Sequence, residues 1–171
     1  MVIVTTIGYN DKMAAIVLKA WCDGSITKNP GGVGGFAALV DDGTKRWTLT
    51  GAEANSTSNR AEIMAVIMLL TSLPPASEVV IHSDSNYVVL GVMERMHRWA
   101  GDGWRGGDRK PVKNQDLWQR LFSLCSTYKV KMVWVRGHSG IPENELVDKL
   151  AKEATKDFVK NNLTINGHVV V

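Results

Sequence analysis

Four acidic residues stand where a sheet protein can gather its chemistry. Asp23 closes an apolar, β-prone run (AIVLKAWCD) and Asp84 closes another (EVVIHSD). Glu62 lies in the first turn of a helical stretch capped by Asn59, and Asp148 lies in the first turns of a last amphipathic helix. Two aspartates ending neighbouring parallel strands would sit side by side at one edge of the sheet. Helix residues packed over that edge would complete a cluster. Such a cluster is costly unless cations neutralise it, because adjacent carboxylates disfavour each other's ionisation. Hard oxygen donors without thiolate or imidazole partners select Mg²⁺, with Mn²⁺ as the alternative. Each acid taken singly also has an ordinary use. A first-turn acid complements the helix dipole, and a strand-end Asp caps a turn.

His138 is the remaining candidate for proton transfer. It sits in the Gly-rich loop RGHSGIPEN, and an imidazole titrates near neutral pH. A lone loop histidine is ordinarily a surface polar residue.

The run Gly32-Val33-Gly34-Gly35-Phe36-Ala37 formally matches the G-x-G-x-x-[GA] dinucleotide fingerprint. That fingerprint works where the loop opens a helix whose N-terminus faces the pyrophosphate. Here the β-prone FAALV and the hairpin signal Asp42-Gly43 follow instead. The ribose-binding acid belongs about 20 residues on, and Asp41 and Asp42 arrive far too early. No G-x-x-x-x-G-K-[ST] sequence is present. The glycines therefore read as a tight connection that allows close backbone approach.

The elements that must position these residues follow from periodicity. AIVLKAWC, GFAALV and RWTLTGAE are three strands joined by short turns, which predicts an antiparallel meander. The period then changes. RAEIMAVIMLLTSL is helical and stops at Pro74-Pro75, EVVIHSD is a buried strand, and SNYVVLGVMERMHRWA is helical. A charged, Gly-rich excursion (AGDGWRGGDRKPVKN) precedes the helix NQDLWQRLFSLCST, the strand VKMVWVRG and the helix NELVDKLAKEATKDF. Hairpin strands followed by strands alternating with helices imply an α/β mixed sheet with helices packed on it. In the tail, LTINGHVVV has an Asn166-Gly167 turn, so it forms a small hairpin, pairs with VIVTTI at the N-terminus, or is disordered.

Composition sets the frame. The 171 residues, 44% hydrophobic, suit one domain with a substantial core, and the formal charge of +3 tolerates a polyanionic partner without demanding one. Cys22 and Cys125 lack metal-ligand spacing and read as reduced thiols, which points to the cytoplasm. No apolar run reaches the roughly 18 residues of a membrane span, and the N-terminus lacks the pattern of a secretory signal.

Taken in order, DGS with NPGGVGG, SNRAEIMAV, SDSNYV, KPVKNQDLW and VRGHSGIPENELVDKLA resemble the motifs of type 1 ribonuclease H, the bacterial ribonuclease HI-like family. The resemblance covers residues 14–158, leaving 1–13 as an N-terminal extension and 159–171 as a C-terminal tail. It implies a ribonuclease H-like fold: a five-stranded mixed sheet, three antiparallel strands then parallel strands, flanked by helices. It also implies a monomeric endoribonuclease that hydrolyses the RNA strand of RNA–DNA hybrids and leaves 5′-phosphate and 3′-hydroxyl ends. By resemblance the metal carboxylates are Asp23, Glu62, Asp84 and Asp148, holding two ions per site with substrate, and His138 assists proton transfer or product release. The RNA strand would meet the Gly24–Asn29 loop (Gly24, Ser25, Asn29) with Ser58, Asn59 and Asn86, and a DNA phosphate would meet Thr57 and Asn114.

The excursion from Arg95 to Lys113 corresponds to a basic protrusion that grips the hybrid in relatives. Arg98, Arg105, Arg109, Lys110 and Lys113 would meet phosphates, while Trp99 and Trp104 pack against sugar or form the protrusion's own core. Departures from the common pattern fall at Asn55, Ser58 and Asn86 and at the tip Ala100-Gly101-Asp102, where basic residues are frequent. Two other readings are a non-catalytic hybrid-binding module and a strand-transfer relative. The full set of acids speaks against the first, and the meander with the PENE pattern against the second.

Overall fold

The computed structural model describes residues 17–165. Strands β1 (Val17–Ile26), β2 (Gly32–Asp41) and β3 (Arg46–Ser56) form the expected antiparallel meander. The β2–β3 turn is fixed by Asp42, whose Oδ1 accepts from the backbone N–H groups of Thr44 and Lys45, both at 2.8 Å. An aspartate that satisfies turn donors in this way is why Asp-Gly marks such reversals. Helix α1 (Ser58–Ser72), strand β4 (Glu78–Ser83), helix α2 (Asn86–Leu90), a π-helical turn (Gly91–Arg95) and helix α3 (Met96–Gly101) follow. Helix α4 (Gln115–Cys125), strand β5 (Lys129–Trp134) and helix α5 (Pro142–Ile165) complete the chain. The sheet order is β3-β2-β1-β4-β5, and β4 lies parallel to both β1 and β5.

Strand alternation divides the core into two layers. Ala20, Cys22, Phe36, Ala38, Val40, Val79 and Ile81 face the side covered by α1 and α4, where Ile63, Val66, Trp118 and Leu121 are buried. Helix α1 is apolar almost all round and is buried accordingly. On the opposite face Trp21, Ala37 and Leu39 meet Val147 and Ala151 of α5. This contact is close because Gly35 has no side chain: a Cβ there would lie 2.2 Å from the carbonyl oxygen of Ala151. The fingerprint glycines thus stand within β2, letting α5 approach it, rather than in a nucleotide loop.

Several local expectations shift. Thr57, not Asn59, caps α1, its side chain accepting from Arg60 N at 3.2 Å. Glu62 therefore sits in the second turn, where complementing the helix dipole no longer explains it. Strand β1 continues past Asp23 to Ile26, paired there with β2 alone, so Gly24–Ile26 are strand and not loop. The helical stretch from Asn86 is interrupted by the π turn, where the Trp118 ring lies over Gly91 and a Cβ would be 2.0 Å from it. Helix α5 runs beyond Phe158 to Ile165 and takes in the LTI run. Residues 1–13 and the Asn166-Gly167 turn lie outside the described residues.

Candidate active site

The site grows from the place where β1 and β4 part. Their last parallel pair is Trp21 with His82, so Asp23 and Asp84 each stand two residues further along, free of that ladder. Asp23 stays fixed by its pairing with Ala37 of β2, and its Oδ1 accepts from Gly24 N at 2.8 Å. Glu62 arrives from above because α1 rests directly on β1 at Gly24. A Cβ on Gly24 would lie 2.5 Å from Glu62 N and 2.6 Å from the Ala61 carbonyl carbon. Asp84 is held from the other side. Asn144 of α5, itself 2% exposed, donates from Nδ2 to Asp84 Oδ2 at 3.0 Å. The Trp134 indole donates to the Asp84 backbone oxygen at 3.1 Å.

Asp23, Glu62 and Asp84 thereby place one carboxylate oxygen each within 4.8 Å of one another. The electrostatic cost is visible in their protonation. Burial and then the charge of Asp84 push the Asp23 carboxyl from 3.8 up to about 7, with Asp148 adding to the shift. Burial, followed by Asp23 and Asp84, raises Glu62 well above the usual carboxylate range. A hydrogen bond between these two acids raises Glu62 and lowers Asp23, as expected where the Glu62 carboxyl is the donor. The neighbouring Cys22 thiol is raised by burial first and by the two acids second. Glu62 Oε2 and Asn144 Oδ1 are buried without a hydrogen-bond partner among the described residues. Crowded oxygens, raised acids and an orphaned carboxylate oxygen fit a hard divalent cation, which would replace the shared proton.

The fourth acid is placed differently. Asp148 is close enough to act on Asp23 electrostatically, but it lies outside the three-acid group and its Oδ2 accepts from Lys152 Nζ at 2.7 Å. His138 is exposed, with φ 51°, in the loop after β5. The preceding Gly137 packs so closely that a Cβ would lie 2.7 Å from Asp84 Oδ2.

The remaining expected contacts spread around this centre. Asn29 Oδ1 accepts from Ser58 N at 3.4 Å, which brings Asn29 to the N-terminus of α1 beside Thr57 and Asn59. Ser25 lies in β1 beyond Gly24, and Asn86 opens α2 just after Asp84. Asn114 takes a left-handed conformation (φ 58°) before α4, and its Nδ2 donates to the Tyr87 hydroxyl at 3.2 Å. That hydroxyl also receives Trp118 Nε1 at 3.0 Å and donates to the Lys113 carbonyl oxygen at 3.5 Å.

In the protrusion, Arg98, Arg105, Arg109, Lys110 and Lys113 are exposed. Trp99 and Trp104 instead pack inward, edge-on to Trp118 and Phe122 with centroids 5.4 and 5.8 Å apart. The packing favours the reading that they form the segment's own core. Both residues the sequence reading passed over, Asn144 and Trp134, touch Asp84. Asn144 had one legible signal, its position one helical turn before Asp148 on the same face.

Comparison with known proteins agrees with this geometry. The RNase H family profile matches residues 16–156. The chain is 44% identical over 146 residues to a ribonuclease H of Paracoccus denitrificans (strain Pd 1222), covering 82% of this chain and 94% of that one. It is 45% identical over 141 residues to a ribonuclease H of Thiobacillus denitrificans (strain ATCC 25259 / T1), covering 82% and 95%. Among solved structures it resembles LC9-RNase H1, a type 1 RNase H with the type 2 active-site motif. There the TM-score is 0.75 and the identity 26%, over 86% of this chain and 75% of that one. A foamy viral protease-reverse transcriptase in complex with RNA/DNA hybrid shares the fold, with a TM-score of 0.66 and 21% identity over 90% of this chain and 22% of that one.

Proposed function

Because this chain belongs to the ribonuclease H family, we propose that it hydrolyses the RNA strand of RNA–DNA hybrids, leaving 5′-phosphate and 3′-hydroxyl ends. The observation that carries this reading is the convergence of Asp23, Glu62 and Asp84 from β1, α1 and β4. A protein that only bound hybrid would gain nothing from acids held in partly protonated, mutually repelling positions.

Asp23, Glu62 and Asp84 would hold the metal, Mg²⁺ or Mn²⁺, with Asp148 completing a site for two ions when substrate is present. Bound divalent ions supply charge neutralisation at the scissile phosphate and lower the pKa of the attacking water. The chain's own residues do the rest. Asp23 is pinned by β2 and by the Gly24 N–H, so its carboxylate would need little reorganisation to hold a cation against the reacting phosphate. His138, exposed on its loop beside Gly137, would move a proton at the leaving oxygen or aid product release.

Substrate choice would rest on the 2′-hydroxyl, which distinguishes RNA from DNA. Gly24, Ser25, Asn29, Ser58, Asn59 and Asn86 would meet the RNA strand, a reading supported by the meeting of Asn29 and Ser58 at the start of α1. Thr57 and Asn114 would take a DNA phosphate, and Lys113 with the exposed arginines of the protrusion would meet the backbone further along. The unit responsible would be residues 14–158 acting as a monomer, and the three clustered acids need no residue from a second copy. No helix among the described residues is long and apolar enough to cross a membrane, and a cytoplasmic location fits the free thiols Cys22 and Cys125.

The test is incubation of a labelled hybrid with the parent chain and with Asp84→Asn in Mg²⁺ and in Mn²⁺. The parent is expected to cut the RNA strand and the variant to lose at least about 10²-fold in rate. A parent that leaves the RNA intact in both ions contradicts the proposal.

A further inference from the structure

The side chain that carries the furthest consequence outside the acids is Asn144. It is buried, 2% exposed, in the first turn of α5. Its Nδ2 donates to Asp84 Oδ2 at 3.0 Å while its Oδ1 is buried without a partner. The amide has little choice of orientation here, since turning Oδ1 toward Asp84 would set two acceptors against each other. A buried amide satisfied on one side only is a poor way to stabilise a helix start, because the lone acceptor carries a desolvation cost with no return. A stability role would be better served by an apolar side chain of the same shape.

The same side chain is well suited to orienting a metal ligand. Asp84 leaves β4 at Ser83 and has no ladder partner on β1, so its carboxylate needs an outside hold. Asn144 supplies it without charge. An Arg or Lys in that place would compete with a cation for the carboxylate, whereas a neutral donor fixes the rotamer and leaves the charge available. The Trp134 indole fixes the Asp84 backbone oxygen at 3.1 Å, and the missing side chain of Gly137 leaves room for Oδ2. The end of β5 and the first turn of α5, on either side of the loop that bears His138, thus hold Asp84 between them.

We propose that Asn144 is a positioning residue: its amide nitrogen orients the Asp84 carboxylate for the metal that the three acids would hold. This inference rests on the functional reading above. It assigns to Asn144 no contact with the hybrid and no proton transfer.

The experiment compares the parent with Asn144→Leu and Asn144→Ser. It measures Mn²⁺ affinity by calorimetry without hybrid, thermal stability in EDTA, and kcat and KM on a hybrid substrate. Leu matches the shape and removes both polar atoms, so stability in EDTA is expected to hold or rise. Loss of the outer hold on a metal ligand typically costs about 10–100-fold, and that loss is expected in Mn²⁺ affinity and in kcat, with KM unchanged. If the Leu variant does not fold, the Ser variant is read in its place with the same expectation. Variants that lose stability while keeping parental Mn²⁺ affinity and kcat overturn the proposal and make Asn144 a structural residue. A parent that neither binds Mn²⁺ nor cuts hybrid overturns the functional reading itself, and this one with it.

Discussion

Asp23 and Asp84 stand at matching positions on two parallel strands, each two residues past Trp21 and His82, the last pair that β1 and β4 form. The sheet therefore brings two carboxylates together at the point where it stops holding its own strands together. Glu62 enters the same space only because Gly24 lets α1 lie against β1. The three acids repel, and most of what can be measured on this protein follows from that repulsion.

In EDTA the protein should lose stability as pH rises. Asp23 is lifted from 3.8 to about 7, so across that interval the folded state holds a proton that the unfolded chain releases. The resulting gain is full below about pH 3.8 and gone above about pH 7. Melting temperature in EDTA should fall between pH 5 and pH 8, and added Mn²⁺ should reverse the trend by taking the proton's place. A metal-free melting temperature that rises steadily over this range would contradict the protonation described here.

Asp23→Asn should separate stability from activity. Removing one of three crowded acids relieves the repulsion on Glu62, so the metal-free variant should melt higher than the parent at pH 8. A gain of about 1 kcal/mol corresponds to roughly 2–4 °C in a chain of this size. The same variant should lose hybrid cleavage. A variant less stable than the parent in EDTA would mean that Asp23 contributes to the fold through its Gly24 hydrogen bond more than it costs.

Gly24→Ala tests the contact that delivers Glu62. The added Cβ meets backbone atoms of Ala61 and Glu62 at 2.6 and 2.5 Å, and backbone cannot rotate aside as a side chain can. Overpacking of this kind costs about 1–3 kcal/mol, and any fold that survives should bind Mn²⁺ more weakly because α1 has moved off β1. Denaturant melts with a Mn²⁺ titration would check both. Unchanged stability and affinity would show that α1 is free to shift.

The protrusion makes a prediction about salt. Asp102 is exposed and lines a shallow depression together with Arg105 and Arg109. Asp102→Lys should tighten hybrid binding and steepen the dependence of log K on log salt by about 0.7–0.9 for each phosphate newly met. Identical slopes for parent and variant would remove the protrusion tip from the interface.

The fold and the acids were legible in the sequence for a simple reason: both rest on periodicity. The meander, the change from period two to helical period, and the acids at strand ends are local patterns, and the five strands and main helices fall where those patterns put them. The misreadings came from tertiary control of local detail. Asn59 has good capping chemistry, yet α1 begins earlier, with Thr57 as its cap and the Ser58 N–H meeting Asn29 from 29 residues away. Gly32 and Gly34 read as a connection although β2 already begins at Gly32, and nothing local reveals that the close approach expected of these glycines is made at Gly35 by α5. Asn144 went unnoticed for the same reason, since its meaning lies in Asp84, 60 residues away. Asp148 shows the reverse case: the motif places it with the other three acids, while the structure sets it at their margin, bound to Lys152.

The central claim is strand-selective, metal-dependent cleavage, and one reaction tests it. A hybrid carrying different labels on its RNA and DNA strands is mixed with the chain and Mg²⁺ or Mn²⁺, and EDTA is added midway. The account predicts RNA fragments with 5′-phosphate and 3′-hydroxyl ends, an intact DNA strand, and an arrest on chelation. Cutting of the DNA strand, or RNA cleavage that continues undiminished in EDTA, would contradict it.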